Sequence, residues 1–160
     1  MVGSTRMLIS YDDRYSNEYI VKAIIEELSD PICYNNGVSL DKFRSYNGFD
    51  KYDNEGGTWW DDFEAMTFDN KDDYYQTAWD AGLLSKPGYT EVYDDMNDYF
   101  QGLFLGTGDF WGIFYFSETI RLKTVALVND LSRVNPLWTL DYFNDLTNPY
   151  TGFDASDLVD

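Results

Sequence analysis

The chain contains no histidine, a single cysteine, and only 11 lysine or arginine residues among its 160. Histidine is the usual group for moving protons near neutral pH. Its absence excludes a Ser–His–Asp triad and leaves the one thiol without the imidazole that a Cys–His nucleophile needs. Cys33, standing alone, can form no internal disulfide, which fits a reducing, cytoplasmic setting. No apolar stretch approaches the roughly 18 residues that a membrane-spanning helix needs. Residues Met1 to Ser10 also lack the basic region and long apolar run of an export leader. There is no glycine loop followed by lysine that would cradle a phosphate.

What is present in excess is negative charge. Twenty-nine acidic residues against 11 basic ones give a net charge of −18. Hydrophobic residues make up 44% of the chain and aromatics 19%, so the composition is that of a folding chain and not of an acidic disordered one. The length suits one domain. A field of this sign repels nucleic acid and anionic membranes and attracts basic protein surfaces. The expected partner is therefore a basic protein, with no direct binding to nucleic acid or membrane. Adaptation to high salt would explain the same charge through screening. The 11 asparagines, 14 tyrosines and large aromatic load count against it.

Patterning predicts an α+β fold in a single compact domain over residues 1–147, followed by an acidic, fraying tail over 148–160. Arg6 to Tyr11 reads as a short strand. Ser16 caps a helix carrying Ile20, Ala23, Ile24 and Leu28, which Pro31 stops. Short helices follow after Ser39, from Trp59 to Met66 after a Thr58 cap, from Asp69 or Asn70 to Leu84, and from Thr90 to Phe100. Asn47 to Gly57 reads as a surface loop. The dense aromatic stretch over 102–117 reads as a β-hairpin turning at Thr107-Gly108-Asp109. Thr119 to Val128 fits two readings: Arg121 and Lys123 alternate with apolar neighbours as in a third strand, with a turn near Asn129, while Val125, Leu131 and Val134 could lie on a helix; the strand is favoured. Leu137 to Leu146 closes the domain as a helix. The helices thus pack on a small antiparallel sheet.

Carboxylate chemistry is what remains for catalysis, for example through Asp61 and Glu64, but such pairs arise by chance in a chain with 29 acidic residues. The nearest approach to a calcium loop, Asp50 to Gly57, places Tyr52 at an oxygen-ligand position and Glu55 where the turning glycine belongs. No catalytic residue, metal or cofactor is expected.

The acidic residues are unevenly spread. Between Asp41 and Phe100 stand 15 acidic and five basic residues, with adjacent pairs Asp61-Asp62, Asp72-Asp73 and Asp94-Asp95 on predicted helices. Carboxylates three or four apart on a helix are separated by about 5–6 Å, a spacing similar to that of phosphates along one nucleic-acid strand. The expected partner-binding face is therefore Asp61, Asp62, Glu64, Asp69, Asp72, Asp73, Asp94, Asp95 and Asp98, with Tyr74 and Tyr93 as aromatic anchors. An ordinary solvated helix face is the competing explanation. Such a face mixes signs, because opposite charges at helical spacing stabilise, and the excess of one sign here counts against it. Trp79, Phe110, Trp111, Phe114 and Phe116 read instead as core.

In charge, size and helical carboxylate pairing the chain resembles the acidic nucleic-acid mimics of phages and mobile elements, including antirestriction and anti-CRISPR proteins. The resemblance rests on no sequence motif. It implies an inhibitor that blocks the basic nucleic-acid-binding surface of a host defence or DNA-processing protein. An immunity protein that neutralises a basic toxin would share the same physics, and a carboxylate-based hydrolase is the more distant alternative.

Overall fold

A computed structural model describes residues 16–150. They form eight α-helices: α1 (Asn17–Asn35), α2 (Asp41–Arg44), α3 (Trp59–Glu64), α4 (Lys71–Asp80), α5 (Val92–Leu105), α6 (Phe110–Phe116), α7 (Glu118–Val134) and α8 (Leu140–Thr147). Short 3-10 turns at Asp53–Glu55, Pro87–Tyr89 and Thr107–Asp109 link some of them. No strand occurs among the described residues, so the expected α+β architecture is replaced by an all-helical one. The strand expected at Arg6 to Tyr11 and the tail beyond Tyr150 lie outside the described residues.

The expected hairpin over 102–117 is a helix, a turn and a second helix. Gly106 adopts φ 63°, the left-handed conformation that ends α5 without the clash a side chain would meet. Asp109, at φ 57°, then sets the entry to α6. Aromatic density, read as strand propensity, here serves helix packing: Phe110, Trp111 and Phe114 recur at helical spacing and are all buried. The segment expected as a strand from Thr119 lies in α7, capped by Ser117, whose hydroxyl accepts from Ile120 N at 3.3 Å. Its buried face runs through Ile120, Lys123, Thr124, Leu127 and Leu131. A lysine on the core face disguises the helical period, because Lys is expected outside.

Pro31 does not end α1. The helix continues to Asn35, with Pro31 inside it and Cys33 fully buried beyond it. Packing of Ile32 and Cys33 into the core outweighs the backbone hydrogen bond that proline removes. Elsewhere the helix ends shift while the elements stand. Asn70, rather than Asp69, caps α4 by accepting from Asp73 N at 2.9 Å. Thr58 makes no side-chain cap bond and instead donates to Asp62 at 3.3 Å. At the other end of the chain, Asn148 donates to the Tyr115 hydroxyl at 2.7 Å and the Tyr150 hydroxyl donates to Asp109, so the tail stays attached as far as Tyr150.

The buried residues fall into two clusters. The larger is built on α5, α6 and α7, with Phe43 of α2 and Phe143 of α8. The smaller consists of Trp60 and Phe63 of α3, Ala78 of α4, Leu83 and Tyr89, with Phe68 and Tyr74 packed against it. Phe63 lies 4.6 Å from Tyr74 between ring centroids, an aromatic contact that ties α3 to α4.

Between the two clusters runs a buried polar network. Lys123 Nζ donates to Asp95 Oδ2 at 2.5 Å, to the Gly82 carbonyl at 2.7 Å and to Asn47 Oδ1 at 2.8 Å. The Tyr52 hydroxyl donates to the same Asp95 oxygen at 2.6 Å. The lysine also lies 4.3 Å from the Phe43 ring centroid and 5.1 Å from that of Tyr99, favourable cation–π distances. Burial pushes Lys123 down and Asp95 up in pKa, while their mutual attraction opposes both shifts. Tyr52, expected in a surface loop, is thus a core residue.

Candidate acidic interaction site

The aromatic cluster under α3 and α4 turns their carboxylates outward. Asp61, Asp62, Glu64, Asp69, Asp72 and Asp73 are all exposed. Asp61 and Asp62, adjacent in sequence, line different grooves. One groove, of about 430 Å³, is walled by Trp60, Tyr89, Asp53, Asp61 and Lys86. The other, of about 410 Å³, is walled by Phe49, Trp59, Asp50, Lys51 and Asp62. Each joins an aromatic wall to a pair of carboxylates, a lining suited to the cationic side chains of a partner.

The electrostatics of the face are uneven. Glu64 is engaged by Lys86 at 2.8 Å. The Lys86 ammonium holds the Glu64 carboxyl below its ordinary pKa, with the nearby Trp60 indole assisting, and Lys86 is raised in return. The Trp60 N–H is near enough to act on Glu64 but closes no hydrogen bond and is itself buried. Asp61, Asp62, Asp69, Asp72 and Asp73 form no ion pair among the described residues. Lys22, Arg44, Lys123 and Arg133 are committed to partners elsewhere and Lys86 to Glu64, which leaves Lys51, in the groove with Asp62, and Lys71, at the start of α4, as the cations placed near these five.

The rest of the expected face does not join them. Asp95 is fully buried on Lys123 and is out of reach of any partner. Asp94 is half-buried; burial raises the carboxyls of Glu26 and Asp30 on α1, and Asp94 and Glu27 add to both shifts. Asp98 accepts from the Ser85 hydroxyl at 2.5 Å, and burial pushes its carboxyl up to about 7, with Asp95, Asp94 and Glu26 adding to the shift. Tyr74 is half-buried in the aromatic cluster, whereas Tyr93 stays on the surface. The adjacent acidic pair at 94 and 95 thus divides between a helix seam and the core.

All three acidic pairs occupy the first turn of their helices. A carboxylate there complements the helix dipole by about 0.3–1 kcal/mol. This accounts for aspartate at these positions, and leaves unexplained only the excess of acid over base on the exposed surface of α3 and α4. Sequence reasoning missed Lys123 and Asn47, because alternation and a polar loop placed both in water. It also missed the exposure of Phe116, which its aromatic neighbours assigned to the core.

Among the described residues, no three His, Cys, Asp or Glu side chains are grouped to hold a metal ion. None of the described helices is long and apolar enough to cross a membrane. The chain matches no protein-family model, no curated protein and no solved structure.

Proposed function

We propose that this protein is an acidic inhibitor that occupies the basic nucleic-acid-binding surface of a DNA-processing or host-defence protein, with α3 and α4 as its contact face. The observation that carries this reading is the group of five exposed aspartates, Asp61, Asp62, Asp69, Asp72 and Asp73, without ion-pair partners among the described residues, on helices braced by aromatic packing. Carboxylates grouped at the first turns of two braced helices offer a cationic groove a dense negative surface, as phosphates do, and a preformed surface loses little entropy on binding. The aromatic-walled grooves beside Asp61 and Asp62 add apolar contact area, which lengthens the life of a complex formed by charge.

The test is affinity capture from cell lysate with the tagged protein and with its Asp61→Lys, Asp62→Lys, Asp72→Lys, Asp73→Lys variant. The wild type should retain a basic nucleic-acid-binding protein that added salt or competing duplex DNA releases. The charge-reversed variant should retain none while keeping its helical dichroism. Equal retention by both, or release that ignores the DNA competitor, would refute the assignment.

A further inference from the structure

Phe116 is the most anomalous side chain on the surface. It is 82% exposed, although its helix otherwise buries Phe110, Trp111 and Phe114. The residue after it, Ser117, donates its hydroxyl to the carbonyl of Trp79 at 3.1 Å, which fixes this end of α6 against the last turn of α4. On α4, Tyr75 stacks on Trp79 with centroids 5.9 Å apart and planes 17° apart, and Tyr75 remains 48% exposed. Asp72, Tyr75 and Trp79 follow one another at helical spacing on one stripe. The Ser117 bond therefore brings the residue before it, Phe116, to the end of α4 that carries Tyr75 and Trp79.

We infer that Tyr75, Trp79 and Phe116 form an anchor for an arginine side chain of a basic protein partner. This deepens the inhibitor reading and rests on it. A planar guanidinium can stack on an aromatic face while its N–H groups reach a carboxylate, a combination that the ammonium of lysine matches poorly. Asp72 precedes the aromatic stripe, Asp80 follows it, and Glu118 adjoins Ser117; all three are exposed. The cations nearest in sequence are Lys71 and Arg121, and Arg121 is engaged by the carbonyls of Phe114 and Tyr115 at 3.2 and 3.4 Å. A second copy of this chain is a poor occupant, because two-fold pairing would bring like-charged rims together in a molecule of net charge −18.

Fluorescently labelled nona-arginine and nona-lysine peptides, titrated by anisotropy at low salt, separate the anchor from the charge. The wild type should bind the arginine peptide about fivefold or more tighter, the size expected of two exposed cation–π contacts. The Tyr75→Ser, Phe116→Ser variant alters exposed positions, and its thermal melt reports whether it folds. It should bind both peptides as the wild type binds nona-lysine. Equal wild-type affinity for the two peptides, or a preference kept by the folded double variant, would overturn the anchor. If both peptides bind equally and the four-aspartate reversal abolishes binding, the acidic face survives and the anchor alone fails. An arginine preference that is lost in the double variant but ignores reversal of Asp61 and Asp62, which lie on α3, upholds the anchor and sinks the α3 face. A sedimentation-detected dimer that Phe116→Ser dissolves would also overturn the proposal, by assigning the patch to a second copy.

Discussion

Asp72-Asp73 and Asp94-Asp95 are two similar words in the sequence with opposite fates in the fold. Each pair opens a helix and each stands beside a tyrosine, at Tyr74 and Tyr93. In α4 both carboxylates face water. In α5 one is half-buried at the seam with α1, and the other is sealed in the core on Lys123. Negative charge in this molecule therefore does two different things. Inside, at Asp95, it is matched by a hydroxyl and by a cation that itself lies over ring faces, and helps to fix how α5, α7 and the loop at Tyr52 meet. On α3 and α4 it stands at the helix N-termini, exposed and in excess over base.

Removing the internal cation should do the most damage. Lys123→Met should cost about 3–5 kcal/mol in chemical unfolding, because it strands a buried carboxylate. Asp95→Leu added to it should restore part of that loss, since no charge then remains in the core, although Tyr52 and Asn47 keep unpaired polar groups. A loss below about 1 kcal/mol for the single variant would show that the pair does not hold the two clusters together.

Asp98 supplies the next largest effect and ties it to pH. Its folded pKa, about 7, lies above the usual aspartate value near 3.8. Between those values the folded state keeps a proton that the unfolded state has released. Stability from this group is thus present at low pH and declines as pH rises through the window. Asp98→Asn removes the penalty, so it should stabilise the protein by about 1–3 kcal/mol at pH 8 and by almost nothing at pH 3. Thermal melts across that range check the slope; a gain equal at both ends would show that packing and not ionisation is responsible.

How much of this could be read from residues alone differs between the two regions. Around α3 and α4 the caps, acidic first turns and short apolar repeats are local signals, and they place the helices and the exposed aspartates with only small errors at the ends. From Gly102 onward the signals conflict. Phe, Trp and Tyr favour strands in isolation, yet here α6 packs them at helical spacing. The reading of Thr119 to Val128 turns on Lys123, whose burial depends on acceptors up to 76 residues away in sequence, at Asn47, Gly82 and Asp95. No local pattern carries that information. The same holds for Asp95, which local sequence cannot distinguish from Asp73, and for Pro31, whose cost is outweighed by contacts made elsewhere in the fold.

The α4 aspartates serve either the helix or a partner, and the two roles separate on substitution. Asn70 already caps the helix through Asp73 N, and Asn70→Ala should cost about 1 kcal/mol in thermal unfolding. Asp72→Asn with Asp73→Asn leaves that cap in place. The substitutions remove two favourable dipole interactions of about 0.3–1 kcal/mol each, and they also relieve repulsion in a strongly acidic surface. These effects oppose each other, so stability should change by less than about 1 kcal/mol, while binding to the captured basic partner should weaken at least about tenfold. Stability that falls by about 2 kcal/mol with affinity unchanged would mean that the pair serves the helix, and that α4 is an ordinary acidic N-terminus. The expected result, affinity lost from a helix that is as stable as before, would separate the charge that builds this protein from the charge it displays.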